Sequence, residues 1–135
     1  MSPEDRDRLV DYRLERAHAT LDEARFLAKG QYWHAVVNRL FYAAFQGVTA
    51  WLLVHDLEHK THKGTRATLA RLVHEQGGLP RDVVRMYDLL FERRQGSDYD
   101  DFVDMSADRV EPLIEPTEEL IAKIEVAIQQ RRSAT

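Results

Sequence analysis

Asn38 and Arg39 interrupt a long apolar run, and Arg39, Tyr42, Gln46 and Thr49 follow one another at spacings of three, four and three. On a helix those spacings place all four on one face, as a polar seam in otherwise apolar surroundings. A guanidinium is costly to bury without a partner, so Arg39 must reach water, meet a carboxylate or line a polar cleft. Two readings stay open. One is a structural ion pair; the other is a lining for phosphate or nucleotide, because a guanidinium grips phosphate oxygens through several fixed donors. His34 adjoins Asn38 one helical turn away and belongs with the same seam.

A second group is Phe91-Glu92-Arg93-Arg94-Gln95-Gly96-Ser97-Asp98-Tyr99-Asp100-Asp101-Phe102. Arg94 continues the stripe of Val84, Tyr87 and Phe91, so it should point toward the packed side of its helix. In one reading Arg93 and Arg94 complement the negative end of that helix and bond its free carbonyls. In the other, an arginine, the Tyr99 hydroxyl and several carboxylates share one loop beside a cleft. Asp98, Asp100, Asp101 and Asp104 could ligate a divalent ion, yet they lack the glycine and distal glutamate of a calcium loop, and solvation of a helix entry accounts for them better.

His55, His59 and His62 fall in a polar stretch without the HExxH spacing or the cysteines of a zinc site. No metal and no cofactor is expected. Lys60 and Lys63 make this stretch locally basic, which suits contact with a nucleic-acid backbone. His18 and His74 fall on charged helix faces and read as surface residues. A glycine-rich phosphate loop and a Ser-His-Asp arrangement are both missing from the sequence.

The elements that must position these groups are helical. A first helix starts at Ser2 as N-cap with Pro3 in its first turn and runs to Gly30, with Val10, Leu14, Ala17, Leu21, Ala24 and Ala28 along one face. A second, from about Tyr32 to His55, is apolar nearly all round and should be central. At about 1.5 Å per residue it would be roughly 36 Å long. Asp56 to Gly64 reads as a loop, and a short third helix from about Thr65 to Gln76 is stopped by Gly77-Gly78-Leu79-Pro80. The fourth is expected from about Arg81 to Arg94, with Gly96 and the tract Ser97 to Asp104 interrupting the chain. A last helix capped by Ser106 runs through Ile128, and Pro112 and Pro116 should each kink or split it.

The chain has 135 residues, 44% hydrophobic and 31% charged, which suits one compact core at 1–135 and excludes a disordered chain. Nineteen basic against twenty-three acidic residues give a net charge of −4, so any nucleic acid must be met by a local patch. There is no cysteine, which removes disulfides and thiol chemistry. The charged start Met1-Ser2-Pro3-Glu4-Asp5-Arg6 is unlike a secretory signal, and no apolar run is long enough for a membrane span, so a cytoplasmic address is expected. Two tryptophans and two phenylalanines on the second helix carry more apolar surface than a small bundle readily hides, a motive for dimerisation.

Asn38-Arg39-Leu40-Phe41-Tyr42-Ala43-Ala44-Phe45, then Lys60-Thr61-His62-Lys63-Gly64, then Phe91-Glu92-Arg93-Arg94-Gln95 with Asp98-Tyr99, together resemble the HEPN (higher eukaryotes and prokaryotes nucleotide-binding) domain family, over about residues 11 to 128. The resemblance implies an all-α, up-and-down bundle of four to five helices forming a symmetric homodimer. It also implies an origin beside a minimal nucleotidyltransferase, as a toxin–antitoxin pair acting on RNA or nucleotide. Many members are metal-independent ribonucleases, whose motif is an arginine followed by a histidine after roughly four to six residues. Here no histidine follows His74, and the position falls on Asp98, Tyr99, Asp100 or Asp101. Proton movement from a ribose hydroxyl needs a group titrating near neutrality, which neither aspartate nor tyrosine ordinarily is. The arginine half of the motif carries over to Arg93 or Arg94, and Asp98 stands at the polar position. Asn38, Arg39, Tyr42, His62 and Lys63 are the implied binding set. Tyr99 sits where some partner enzymes attach AMP. Three readings follow: a binding protein with a degenerate ribonuclease motif, an active ribonuclease toxin using Arg94 with Asp98 or Tyr99, and a purely structural interaction bundle.

Overall fold

The structure is a computed structural model of the chain and describes residues 1–58, 61–99 and 105–134, with 97–99 described by their backbone. The helices are α1 (Pro3–Lys29), α2 (Trp33–Val54), α3 (His62–Gln76), α4 (Arg81–Tyr99), α5 (Ala107–Val110) and α6 (Ile114–Ser133), with a 3-10 turn at Glu111–Leu113. No strand occurs among the described residues. The fold is an all-α bundle.

Local chemistry sets most of the boundaries. Ser2 Oγ accepts from the Asp5 amide at 3.1 Å, and Pro3 occupies the first helical position of α1, where a missing amide proton costs nothing. Gly77 and Gly78 take φ of 73° and 89°, a left-handed conformation that ends α3 and that a side chain would resist. The turn after α1 contains Gln31 at φ 63°, so α2 folds straight back along α1.

Side-chain bonds fix the directions of the long helices. Arg6 near the start of α1 reaches Asp56 just beyond α2, while Glu23 late in α1 meets Arg39 early in α2. Asp11 of α1 meets Arg132 at the far end of α6. Helix α1 therefore runs antiparallel to both α2 and α6. Helix α2 packs against α1, α3, α4, α5 and α6, with Leu40, Phe41 and Trp51 almost fully buried and Gly47 offering only ordinary contact distance to the Ile124 side chain of α6. At about 1.5–3 kcal/mol for each large apolar side chain removed from water, this central helix is the rigid reference for everything placed on it.

Three boundaries differ from the sequence expectation. Helix α3 begins at His62 instead of Thr65, because Thr61 caps it: Thr61 Oγ1 accepts from the Gly64 amide at 2.9 Å. Helix α4 continues through Gly96 to Tyr99 instead of stopping at Arg94. A helical glycine costs only about 1 kcal/mol relative to alanine, less than the packing of Leu90 and Phe91 on the same helix contributes. The last helix is broken at Pro112, as expected, into α5, the 3-10 turn and α6; Pro116 lies in the first turn of α6, where its missing donor is harmless, and breaks nothing. The apolar surface of α2 is also largely covered within one chain, since Phe41 and Trp51 are buried and Trp33 and Phe45 half-buried. Among the described residues the large exposed apolar side chains are Met1, Tyr12, Phe26, Tyr32 and Val126, at the chain start, on α1, in the turn after it and on α6.

Candidate functional site

Helices α2, α3 and α4 converge on one cluster of aromatic and basic side chains. Phe41, Tyr42 and Phe45 project from adjacent positions of α2, and the His62 ring from the first turn of α3 packs edgewise on all three, with centroids 5.1, 5.4 and 4.7 Å away. Phe41 also touches Tyr87 and Phe91 of α4, which joins this aromatic floor to the buried core. Arg94 extends over the floor from α4. Its guanidinium carbon is 5.3 Å from the Phe41 centroid and 5.2 Å from that of Tyr42, distances at which a cation is attracted to a ring face.

Arg94 also makes directional contacts. Its Nη2 donates to the Tyr42 hydroxyl oxygen at 3.3 Å, and its Nη1 stands 3.3 Å from His62 Nδ1. A guanidinium only donates, so Nδ1 is the acceptor in that contact and the imidazole proton resides on Nε2, an assignment made from the hydrogen-bond pattern. Burial lowers the pKa of His62 below its ordinary value near 6.5, and the Arg94 charge pushes it the same way. The first turn of α3, with its positive helix end, disfavours a second positive charge as well. His62 is accordingly a neutral imidazole at pH 7, half-buried, with its Nδ1 lone pair aimed at an arginine.

Arg39, one turn before Tyr42 on α2, sits 5.2 Å from the same ring centroid. It donates from Nε and Nη2 to Asn38 Oδ1 at 3.1 and 2.7 Å, and from Nη1 to Glu23 of α1 at 3.4 Å. Tyr42 is thus bracketed by two guanidiniums, from α2 and from α4.

The sequence pattern of the HEPN domain matches residues 10–127. The chain belongs to the HEPN family. It is 30% identical over 130 residues to a UPF0332 protein of Thermotoga maritima, covering 96% of this chain and 98% of the relative. It is 24% identical over 101 residues to the Methanocaldococcus jannaschii protein named "Putative toxin MJ0142", covering 75% of this chain and 69% of the relative. A UPF0332 protein of Archaeoglobus fulgidus is 24% identical over 123 residues, 91% of this chain and 98% of the relative.

Within this HEPN domain the structure gathers Asn38, Arg39, Tyr42, His62 and Arg94, which the sequence placed on three separate segments. Lys63 is exposed beside His62. Arg93 turns the other way, its Nη1 donating to the Arg109 carbonyl of α5 at 3.5 Å, and stands apart from the cluster. Neither arginine caps the end of α4, because that helix runs on to Tyr99. The side chains of Asp98 and Tyr99, and the whole of His59, Lys60, Asp100, Asp101 and Asp104, lie outside the described residues. Thr49, the far end of the polar seam, is buried with its hydroxyl bonded to the Gln46 carbonyl. His18 is exposed and bonds Glu125, a surface pairing.

The HEPN resemblance set an arginine against a histidine a few residues further along α4. Here a histidine stands against Arg94, but from α3, thirty-two positions earlier in the chain. The sequence pattern puts His62 in the polar loop from Asp56 to Gly64 and does not disclose the aromatic floor that seats it. The signals were present: Phe41 and Phe45 are one helical turn apart, and Thr61 is a good N-cap three residues before Gly64. Among the described residues no three His, Asp or Glu side chains lie together as a metal ion would need, and no helix is long and apolar enough to cross a membrane.

Proposed function

We propose that this HEPN protein is of the toxin type and turns the Arg39–Tyr42–Arg94–His62 face toward the phosphates of RNA or of a nucleotide. The observation that carries the reading is the placement of Arg94 beside His62 and Tyr42 on a rigid aromatic floor. The Arg94 guanidinium is held over ring faces with its Nη donors on two neutral groups, Tyr42 and His62, and a charged phosphate oxygen is a stronger acceptor than either. The toxin name of the Methanocaldococcus relative and the family membership support the same reading. We place the protein in the cytoplasm as a homodimer that works with a minimal nucleotidyltransferase. Two such faces in one assembly would double the cationic footprint that a net-acidic chain otherwise lacks.

The test is binding. Fluorescence anisotropy with a labelled single-stranded RNA, with tRNA as competitor and with AMP and ATP in parallel, should show salt-dependent binding that weakens in Arg94→Ala. Equal affinity of wild type and variant for every probe would rule the reading out, and light scattering and co-purification would separately examine the dimer and the nucleotidyltransferase partnership. A structural role for Arg39 is favoured by its contact with Glu23; in that case Arg39→Ala would lower the melting temperature and leave binding unchanged.

A further inference from the structure

We infer that the groove between α4 and α6, on the flank of α4 away from α3, is a docking site for a basic amphipathic helix of a partner protein, one that carries two apolar anchors seven residues apart. This surface shares no residue with the Arg94 cluster and does not depend on RNA binding.

Helix α4 has two flanks. Asp88, Phe91 and Glu92 face α3, where they hold Arg66. Met86 and Leu89 lie on the other flank, half-buried, and form with Pro116 and Leu120 of α6 an apolar depression of about 290 Å³. A second depression of about 320 Å³ follows along α6, lined by Pro80, Ala122, Val126 and Ala127, with Val126 54% exposed. The two share Lys123, and their buried residues Leu120 and Ala127 are seven positions apart on α6, about 10 Å at roughly 1.5 Å per residue. Residues i and i+7 of a second helix laid along α6 have that same separation. The whole strip from Glu115 to Gln130 is about 22 Å long, which is about four turns of helix.

The charges on the rim select the partner. Beside the first depression, and sharing Pro116 and Glu119 with it, lies a cleft that holds Glu111, Glu115, Glu118 and Glu119 together with Arg25. Glu118 is bonded to Arg25, and Asp82 to Lys123 at 2.7 Å, so these charges are matched within the chain. Glu111, Glu115 and Glu119 are exposed and make no ion pair among the described residues, and Arg85 is the cation left to set against them along the groove. A partner with lysines or arginines beside its anchors gains from this excess of acid, and an acidic one is repelled. The partner segment is a helix for a separate reason. With no strand among the described residues, an extended peptide would find no sheet edge for its backbone, whereas a helix satisfies its own amides and carbonyls. Two copies of this chain meeting groove to groove would set acid against acid, so the occupant is a different protein.

The probe is a fluorescein-labelled peptide of about 18 residues made of lysine, alanine and leucine, with leucines at i and i+7 on one helical face. Two controls accompany it: a scrambled peptide of the same composition, and a peptide with glutamate in every lysine position. Fluorescence anisotropy should show the lysine peptide binding the full chain, more weakly as salt rises. Met86→Gln combined with Val126→Gln, which puts one neutral polar group in each depression, should weaken binding about tenfold. Glu115→Lys combined with Glu119→Lys should weaken it by about the same factor, while the same charge change elsewhere, Glu15→Lys with Glu75→Lys, should cost less than about threefold. If the Met86 and Val126 double variant loses the wild-type circular dichroism spectrum, Val126→Gln alone, at an exposed position, decides, with about threefold weaker binding expected. No binding of the lysine peptide up to about 1 mM, equal binding of the scrambled or the glutamate peptide, or affinities unchanged by the groove variants overturns the inference. So does light scattering that shows a dimer of the chain lost in Val126→Gln, since a second copy would then cover the groove.

Discussion

Arg66 and Arg94 use the same device on neighbouring parts of the α3–α4 contact and come out differently. Each lays its guanidinium over an aromatic ring, Arg66 over Phe91 at 4.8 Å and Arg94 over Phe41 and Tyr42 at 5.3 and 5.2 Å. Arg66 then bonds two carboxylates from one face of α4, Asp88 at 2.7 Å and Glu92 at 3.3 Å. Arg94 instead reaches an imidazole and a phenol. The first contact is an ion pair of one cation with two carboxylates, and it ties α3 to α4. The second joins the cation to a base that titrates near neutrality, so the state of one controls the other. Fold and ring stacking are shared by the two regions; the chemistry lies in what the guanidinium edge is given.

Exchanging the arginines one at a time gives the sharpest contrast. Arg94→Ala removes the cation from the His62 cluster, and the loss of one charge-assisted phosphate contact, about 1.5–3 kcal/mol, corresponds to roughly 10–100-fold weaker RNA binding in an anisotropy titration. The comparison breaks if Arg66→Ala weakens RNA binding equally.

Tyr87 lies beneath both regions and sharpens the contrast between satisfied and unsatisfied polar groups. It is fully buried, its ring packs on Phe41, and its hydroxyl has no hydrogen-bond partner among the described residues. Burial raises its pKa well above the ordinary phenol value, so the group stays protonated at any pH of interest. Removing a buried donor that bonds nothing should stabilise the protein. Tyr87→Phe is expected to gain about 1 kcal/mol, seen as a rise of a few degrees in the melting temperature. A clear loss of stability would mean that the hydroxyl has a partner, and that the floor of the cluster is polar as well as aromatic.

Arg66→Ala comes next in size. Its partners are partly exposed, with side-chain exposures of 36% for Asp88 and 65% for Glu92, and exposed pairs of this kind contribute at most about 1 kcal/mol. A denaturant midpoint slightly below wild type, with the same slope, is the expected result. A larger loss would show the ring contact with Phe91 to be the stronger part of the tie.

The two regions also differ in how much of them a single sequence discloses. Ser2, Pro3, Gly77 and Gly78 act on their own neighbours, so the helix ends they set follow from local rules. The seam Arg39–Tyr42 and the inward turn of Arg94 follow from helical periodicity, which depends on one helix at a time. The meeting of Arg94 with His62 depends on three helices and on a residue thirty-two positions away, and no periodicity encodes that. The start of α3 was hidden for another reason: Lys60-Thr61-His62-Lys63-Gly64 is polar throughout, and the cap at Thr61 is a stronger structural signal than the apolar pattern it lacks. Gly96 misleads in the opposite sense, since a glycine that often ends a helix is here carried through one.

The smallest expected effect is on the pH dependence of stability, and it separates the two guanidinium contacts without any ligand. His62 is held below its ordinary pKa by burial and by Arg94, so the unfolded chain takes up its proton first as the pH falls. Its contribution is complete above about pH 6.5 and is lost as the pH drops through the lower native value. His55 acts with the same sign, its pKa lowered chiefly by burial despite the bond from its ring to the Trp51 carbonyl. The melting temperature should therefore decline between pH 7 and pH 5, above the range in which carboxylates titrate. His62→Asn should flatten that decline in part, leaving the share of His55, and Arg66→Ala should leave its slope alone because the bonds of Arg66 go to Asp88 and Glu92. A slope unchanged by His62→Asn would mean that Arg94 and His62 are not coupled in the free protein, and the contrast between the two arginines would then reduce to their surroundings.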